Sequence, residues 1–154
     1  MVHLGSSLRF LSLLIVLPFA VLAAACGGSA DSEGTLVIRA SDQLRFEPAT
    51  LTVKVGEPVR IRLDNSKGVT LHDLSIDAIP ASKVEVGESS EHAGHGAPIV
   101  LGTPSASQLH IAAAAGKSAV VEFVPTQPGQ YAFYCSVSGH RQGGMEGVII
   151  VEPA

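Results

Sequence analysis

Cysteine is scarce in this chain, with two among 154 residues, and so is methionine. One of the two methionines is the initiator Met1, so Met145 is the only thioether in the rest of the chain. Charge is also sparse, and what there is leans acidic. Ten Lys and Arg stand against fourteen Asp and Glu. From Cys26 onward Arg9 drops out and no acid does, leaving nine basic against fourteen acidic residues, a net of −5. That excludes a nucleic-acid binder, which needs a basic face. No amphipathic helical pattern stands out and no repeat recurs, so a helical bundle and a repeat array are excluded as well.

One apolar stretch precedes everything else. Arg9 is followed by Phe10-Leu-Ser-Leu-Leu-Ile-Val-Leu-Pro18-Phe-Ala-Val-Leu-Ala-Ala-Ala25. A basic residue, an apolar run and small residues in that order read as a signal peptide over 1–25. A transmembrane helix is the competing reading, but Pro18 interrupts a run already short for a span of about 20 residues. Cys26, between Ala25 and Gly27-Gly28-Ser29, resembles the lipidated cysteine of a bacterial lipobox, although Ala23 stands where Leu is commoner. The alternative is ordinary secretion with Cys26 cut away. Residues 26–34 carry no large apolar group and read as a flexible tether. The chain length then leaves one domain over 35–154.

That domain reads as strands. Thr35 to Ala40 alternates; Leu51, Val53 and Val55 keep period two; so do Val59, Ile61 and Leu63 against Arg60 and Arg62. Asn65 to Gly68 reads as a turn. From Leu71 to Asp77, His72, Leu74 and Ile76 share one face and Asp73, Ser75 and Asp77 the other. Leu109–Ala113, Ser118–Val124, Tyr131–Cys135 and Gly147–Glu152 follow, with Ala112–Ala115 as a possible helical turn. The fold expected is an all-β, antiparallel Greek-key sandwich. Residues 80–108, rich in Pro, Ser, Gly, Ala and Glu, read as a long, partly mobile insertion loop.

Chemistry concentrates in Cys135-Ser-Val-Ser-Gly-His140-Arg-Gln-Gly-Gly-Met145. A thiolate, an imidazole and a thioether lie on one loop, with four residues between each and the next. His72 supplies a second imidazole from a strand. Two His, one Cys and a weak axial Met make a blue-copper electron-transfer site, the soft donors suiting Cu(I) and imidazole suiting Cu(II). Structural zinc would want four good Cys or His ligands and has little use for Met145. A Cys135–His140 nucleophilic pair would need a substrate cleft and an oxyanion site, and no sequence feature supplies them. A Cys26–Cys135 disulfide is rejected because it would remove the one thiolate this loop offers.

The stretch Pro128-Gly-Gln-Tyr-Ala-Phe-Tyr-Cys135 resembles the turn and strand that deliver the copper cysteine in the small cupredoxins, the plastocyanin and azurin family. The loop spacing is closer to auracyanin than to azurin or plastocyanin. The resemblance covers roughly 35–154. It implies His72, Cys135 and His140 as the strong copper plane, Met145 as axial ligand and one copper per chain. It also implies a tie between Asp73, where the family often has Asn, and Ser136; the alternative is an Asp73 that faces solvent. A carboxylate there would lower the potential unless it is neutralised. Electrons would leave at the exposed edge of His140, among Val137, Gly139, Gly143 and Gly144.

His92 and His95, with Glu88 and Glu91, form a possible weak second metal patch or only a solvated loop. His110 reads as structural or exposed. The function expected is single-electron transfer between a redox donor and acceptor, without enzymatic activity. The protein would be a monomer outside the cytoplasm, held to the membrane by lipid on Cys26. Its acidic balance suits a basic partner. Copper storage or delivery, with the His-rich insertion as a loading site, is the alternative.

Overall fold

The computed structural model describes residues 34–87 and 107–154. The leader 1–25, Cys26, most of the tether, His92 and His95 lie outside the described residues. Ten strands are formed: β1 (Leu36–Ser41), β2 (Arg45–Glu47), β3 (Thr50–Lys54), β4 (Val59–Asn65), β5 (His72–Ile79), β6 (Ala81–Val86), β7 (Ser107–Ala113), β8 (Lys117–Pro125), β9 (Gly129–Tyr134) and β10 (Glu146–Glu152). They assemble into two five-stranded sheets, ordered β2-β1-β4-β8-β6 and β3-β10-β9-β5-β7. The inward-facing residues close one core, with Ile38, Ile61, Leu63, Val121 and Phe123 from the first sheet and Leu51, Ile76, Phe133 and Ile149 from the second.

The all-β sandwich is as expected, but it is not purely antiparallel. β1 pairs with β4, and β3 with β10, in parallel. Parallel neighbours need crossover connections. Here the chain makes them by passing through the opposite sheet, so β3 lies in the second sheet between β2 and β4 of the first.

Three local readings need correction. The insertion begins later than residue 80, because Ala81–Val86 forms β6 at the edge of the first sheet. Its exposed Ser82 and Lys83 and a register shift before Glu85 break the alternation that would have marked it, as protected edges often do. The rest of that segment, 88–106, lies outside the described residues. Ala112 and Ala113 finish β7, so no helical turn forms there. Asn65 ends β4 fully buried, whereas the sequence reads it as the first residue of a turn. Its Nδ2 donates to the carbonyls of Thr70, Ala113 and Ala114 at 2.8–3.1 Å, pinning the 66–71 loop to the β7–β8 turn.

Candidate metal centre

β5 and β9 are antiparallel neighbours, with Ser75 opposite Tyr134 and Ile76 opposite Phe133. Extending that register by two residues sets Asp73 opposite Ser136. The same register sets Leu74 opposite Cys135, so His72, two residues back along β5 on the same face, lies at diagonal reach of Cys135. The loop from Cys135 to Met145 is a closed hairpin between adjacent strands. Its last ladder pair is Tyr134 and Glu146. The Cys135 amide then donates to the Met145 carbonyl at 3.0 Å, and the Met145 amide to the His140 carbonyl at 3.0 Å. Gly139 and Gly144 take φ values of 85° and 99°, which glycine adopts without steric cost. These two reversals fold His140 and Met145 back toward Cys135.

The ligand atoms of His72, Cys135 and His140 all lie within 4.8 Å of one another. Cys135 Sγ is 3.3 Å from His140 Nδ1, and the two imidazole centroids are 5.0 Å apart. His72, Cys135 and Met145 are fully buried, and His140 is half-buried. His72 Nδ1 is buried with no hydrogen-bond partner, an arrangement that costs free energy unless something occupies the site. Burial pushes the Cys135 thiol up to about 12. Such a thiol ionises at neutral pH only when a cation is at hand. Burial also lowers the His72 pKa, against the pull of Asp42, so that ring stays neutral and able to ligate. An orphaned imidazole nitrogen, a thiol and a second imidazole converging in a largely buried site fit a soft metal ion.

The surrounding hydrogen bonds answer the question about Asp73. It is buried rather than facing solvent. Its carboxylate accepts from the Ser136 amide at 2.5 Å, and from the Ser136 hydroxyl. Its own amide donates to Cys135 Sγ at 3.5 Å. His110 Nε2 lies 3.0 Å from Asp73 Oδ2. The pairing Asp73–Ala112 puts His110 two residues along β7, on the same face, at diagonal reach. Burial pushes the Asp73 carboxyl up, but the bonds from His110 and Ser136 outweigh it and leave it below the ordinary value.

Three contributors escaped the sequence: Asp42, Thr70 and this role of His110. No motif marks them: His110 meets the site through strand pairing, and Asp42 and Thr70 through the packing of a turn against a loop. Asp42, in the β1–β2 turn, accepts from the Val69 amide at 2.9 Å and from the Thr70 amide and hydroxyl at 3.2 and 2.6 Å. The Thr70 hydroxyl and the Val69 amide are the main groups that hold its pKa down, from the ordinary 3.8 to about 2. A carboxyl depressed on folding stabilises the structure above its unfolded pKa and loses that contribution as pH falls through the folded one. Acidification from about pH 4 to about pH 2 should therefore loosen the 66–71 loop. Hydrogen exchange at the Val69 and Thr70 amides, corrected for intrinsic rate, should accelerate over that window; constant protection would show that Asp42 does not hold the loop.

Comparison with known proteins agrees with the geometry. Residues 33–152 match the model of the copper-binding plastocyanin/azurin family. The chain is 30% identical over 130 residues to the copper-resistant cuproprotein CopI of Rubrivivax gelatinosus, covering 81% of this chain and 70% of that protein. It is 28% identical to auracyanin-A of Chloroflexus aurantiacus, covering 94% and 98%. The solved structure of that auracyanin A superposes with a TM-score of 0.58 at 25% identity, over 77% of this chain and 98% of the other. Reduced auracyanin from Roseiflexus castenholzii shares the fold, with a TM-score of 0.58 over 82% and 100% of the two chains. The chain therefore belongs to the plastocyanin/azurin family of copper-binding proteins, as a blue-copper cupredoxin with one copper per chain.

Proposed function

We propose that this protein carries single electrons between redox partners, with His72, Cys135 and His140 as the strong copper ligands and Met145 as the weak axial one. The observation that carries this reading is the buried, unpartnered His72 Nδ1 beside Cys135 and His140. Bound copper supplies a Cu(II)/Cu(I) couple. The chain's own residues keep the ligand positions fixed across that couple. The β9–β10 ladder closes the loop, Asp73 fastens Ser136, and the Asp73 amide donates to the sulfur. Preorganised ligands reduce the rearrangement that accompanies each transfer. His140, the half-buried member of the set, brings the centre nearest to solvent, beside the exposed Gly139, Gly143 and Gly144. A small, transient contact at this edge suffices for a redox encounter. No bound substrate is transformed, so the reading is of a carrier and not an enzyme. The leader-like 1–25 and the lipobox-like Cys26 support a place outside the cytoplasm, anchored to the membrane by lipid, where the protein would work as a monomer.

The axial ligand provides the test. Met145→Leu should keep copper and colour and raise the reduction potential, because a donor to Cu(II) is lost. Met145→Gln should lower it, since an amide oxygen favours Cu(II). Voltammetry that finds the same potential in all three proteins would remove Met145 from the ligand set. The Rubrivivax relative, named for copper resistance, favours a second reading in which the protein sequesters or delivers copper. A carrier should retain copper against a chelator in both oxidation states, whereas a delivery protein should release it readily in one of them.

A further inference from the structure

The two nitrogens of His72 have different surroundings. Nδ1 has no partner in the protein. Nε2 lies 3.2 Å from Asp42 Oδ1 and 3.2 Å from Thr70 Oγ1. The protonation of this ring follows from hydrogen-bond bookkeeping. An ionised carboxylate only accepts. The Thr70 hydroxyl has a single proton, and at 2.6 Å from Asp42 Oδ1 it donates there, which leaves only acceptor capacity toward the ring. Both neighbours of Nε2 are therefore acceptors, and Nε2 must carry the hydrogen. Nδ1 is then a bare lone pair.

The same turn reaches the other ligand segment. Leu44, two residues after Asp42, holds φ at 57°, an uncommon backbone for a branched side chain. Its Cδ1 would stand 2.4 Å from a Cβ placed on Gly143, so leucine and glycine backbone are in close contact. The Leu44 amide donates back to the Ser41 carbonyl at 2.9 Å, which closes the turn. One short turn thus touches His72 through Asp42 and the Cys135–Met145 loop through Leu44.

We infer that Asp42 is a positioning residue of the copper centre: with Thr70 it holds His72 as the Nε2–H tautomer and turns Nδ1 to the metal. The inference deepens the proposed function and rests on its reading of His72 as a ligand. A ligating histidine is oriented by what its other nitrogen donates to. A carboxylate in that place also puts negative charge on the far side of the ring, which favours Cu(II). Sequence spacing could not reveal this partner, which stands thirty residues before His72.

The test uses the copper-loaded full protein. In Asp42→Ala, copper affinity measured by competition with a chelator should fall about 10–100-fold, and the reduction potential should rise. Asp42→Asn keeps an acceptor oxygen without the charge. It should restore most of the copper affinity while keeping the raised potential. Long-range proton–nitrogen NMR of the Cu(I)-loaded wild type, which requires no variant to fold, should show hydrogen on Nε2 of His72. A bare Nε2, or wild-type potential and affinity in both variants, would overturn the inference. His72→Ala separates the two levels of the argument. If it loses the blue colour while the Asp42 variants match the wild type, only the positioning role falls. If it stays blue, the ligand assignment falls too.

Discussion

Replacing Cys135 with serine should erase the intense blue absorption of the Cu(II)-loaded protein while leaving the sandwich folded. The colour of such a centre comes from charge transfer between a thiolate and copper, and Cys135 is the only cysteine among the described residues. A serine hydroxyl is of similar size, so little void is left in a position that is fully buried. It can still accept from the Asp73 amide, the bond the sulfur receives at 3.5 Å. What it cannot supply is an easily ionised, soft donor. The expected loss of the band is therefore complete, while thermal unfolding of the copper-free variant stays close to that of the copper-free wild type. A serine variant that remained intensely blue would sink the assignment of this centre.

The second large effect is on stability. Phe133→Ala should cost about 3–5 kcal/mol, the usual range for emptying an aromatic core position. Phe133 is fully buried and packs its ring on Phe46, with centroids 5.4 Å apart at 60°. It sits in the ladder between Ile76 of β5 and Gly147 of β10. The space on Gly147 is already taken. A Cβ there would come within 2.3 Å of Phe133 Cζ and 2.4 Å of the Ala49 carbonyl oxygen. Glycine is thus required beneath the ring, and it has no side chain with which to fill the hole that the ring would leave. Denaturant unfolding should show a lower midpoint with an unchanged slope. A loss of under about 1 kcal/mol would mean that the core collapses around the gap. Because Phe133 lies two residues before Cys135, the same variant should also broaden the copper spectrum.

How much of this was legible in the sequence depended on the range of the interaction. β3, β4 and β8 announced themselves through alternation at period two, because each has one face in the core; β5 alternates in sequence as well, yet every residue from His72 to Ile76 is buried. β6 did not, since an edge strand with exposed Ser82 and Lys83 follows no such rule. The parallel pairs β1–β4 and β3–β10 were invisible for another reason: alternation tells which face is buried but not which strand lies alongside. At the centre, the spacing of Cys135, His140 and Met145 was readable because they share one loop. The structure brings His72, Cys135 and His140 together and buries Met145 beside the loop closure. Asp73 and Ser136 were readable only as a question, whether they touch or not. The partners that orient these groups, Asp42, Thr70 and His110, come from other strands and turns, where no local pattern selects one polar residue over its neighbours.

The confinement of three of the four proposed donors to the eleven residues from Cys135 to Met145 has a thermodynamic consequence. A ligand stabilises a fold only to the extent that it prefers the native chain to the denatured one. In the denatured chain these three donors remain tethered within one short loop, whose closure costs little entropy. Copper would find a partial chelate there, lacking only His72, the one donor that folding itself delivers. The rise in melting temperature on loading should thus fall short of what the native affinity alone would give. The shortfall measures how much of the metal's grip is already written into the local chain.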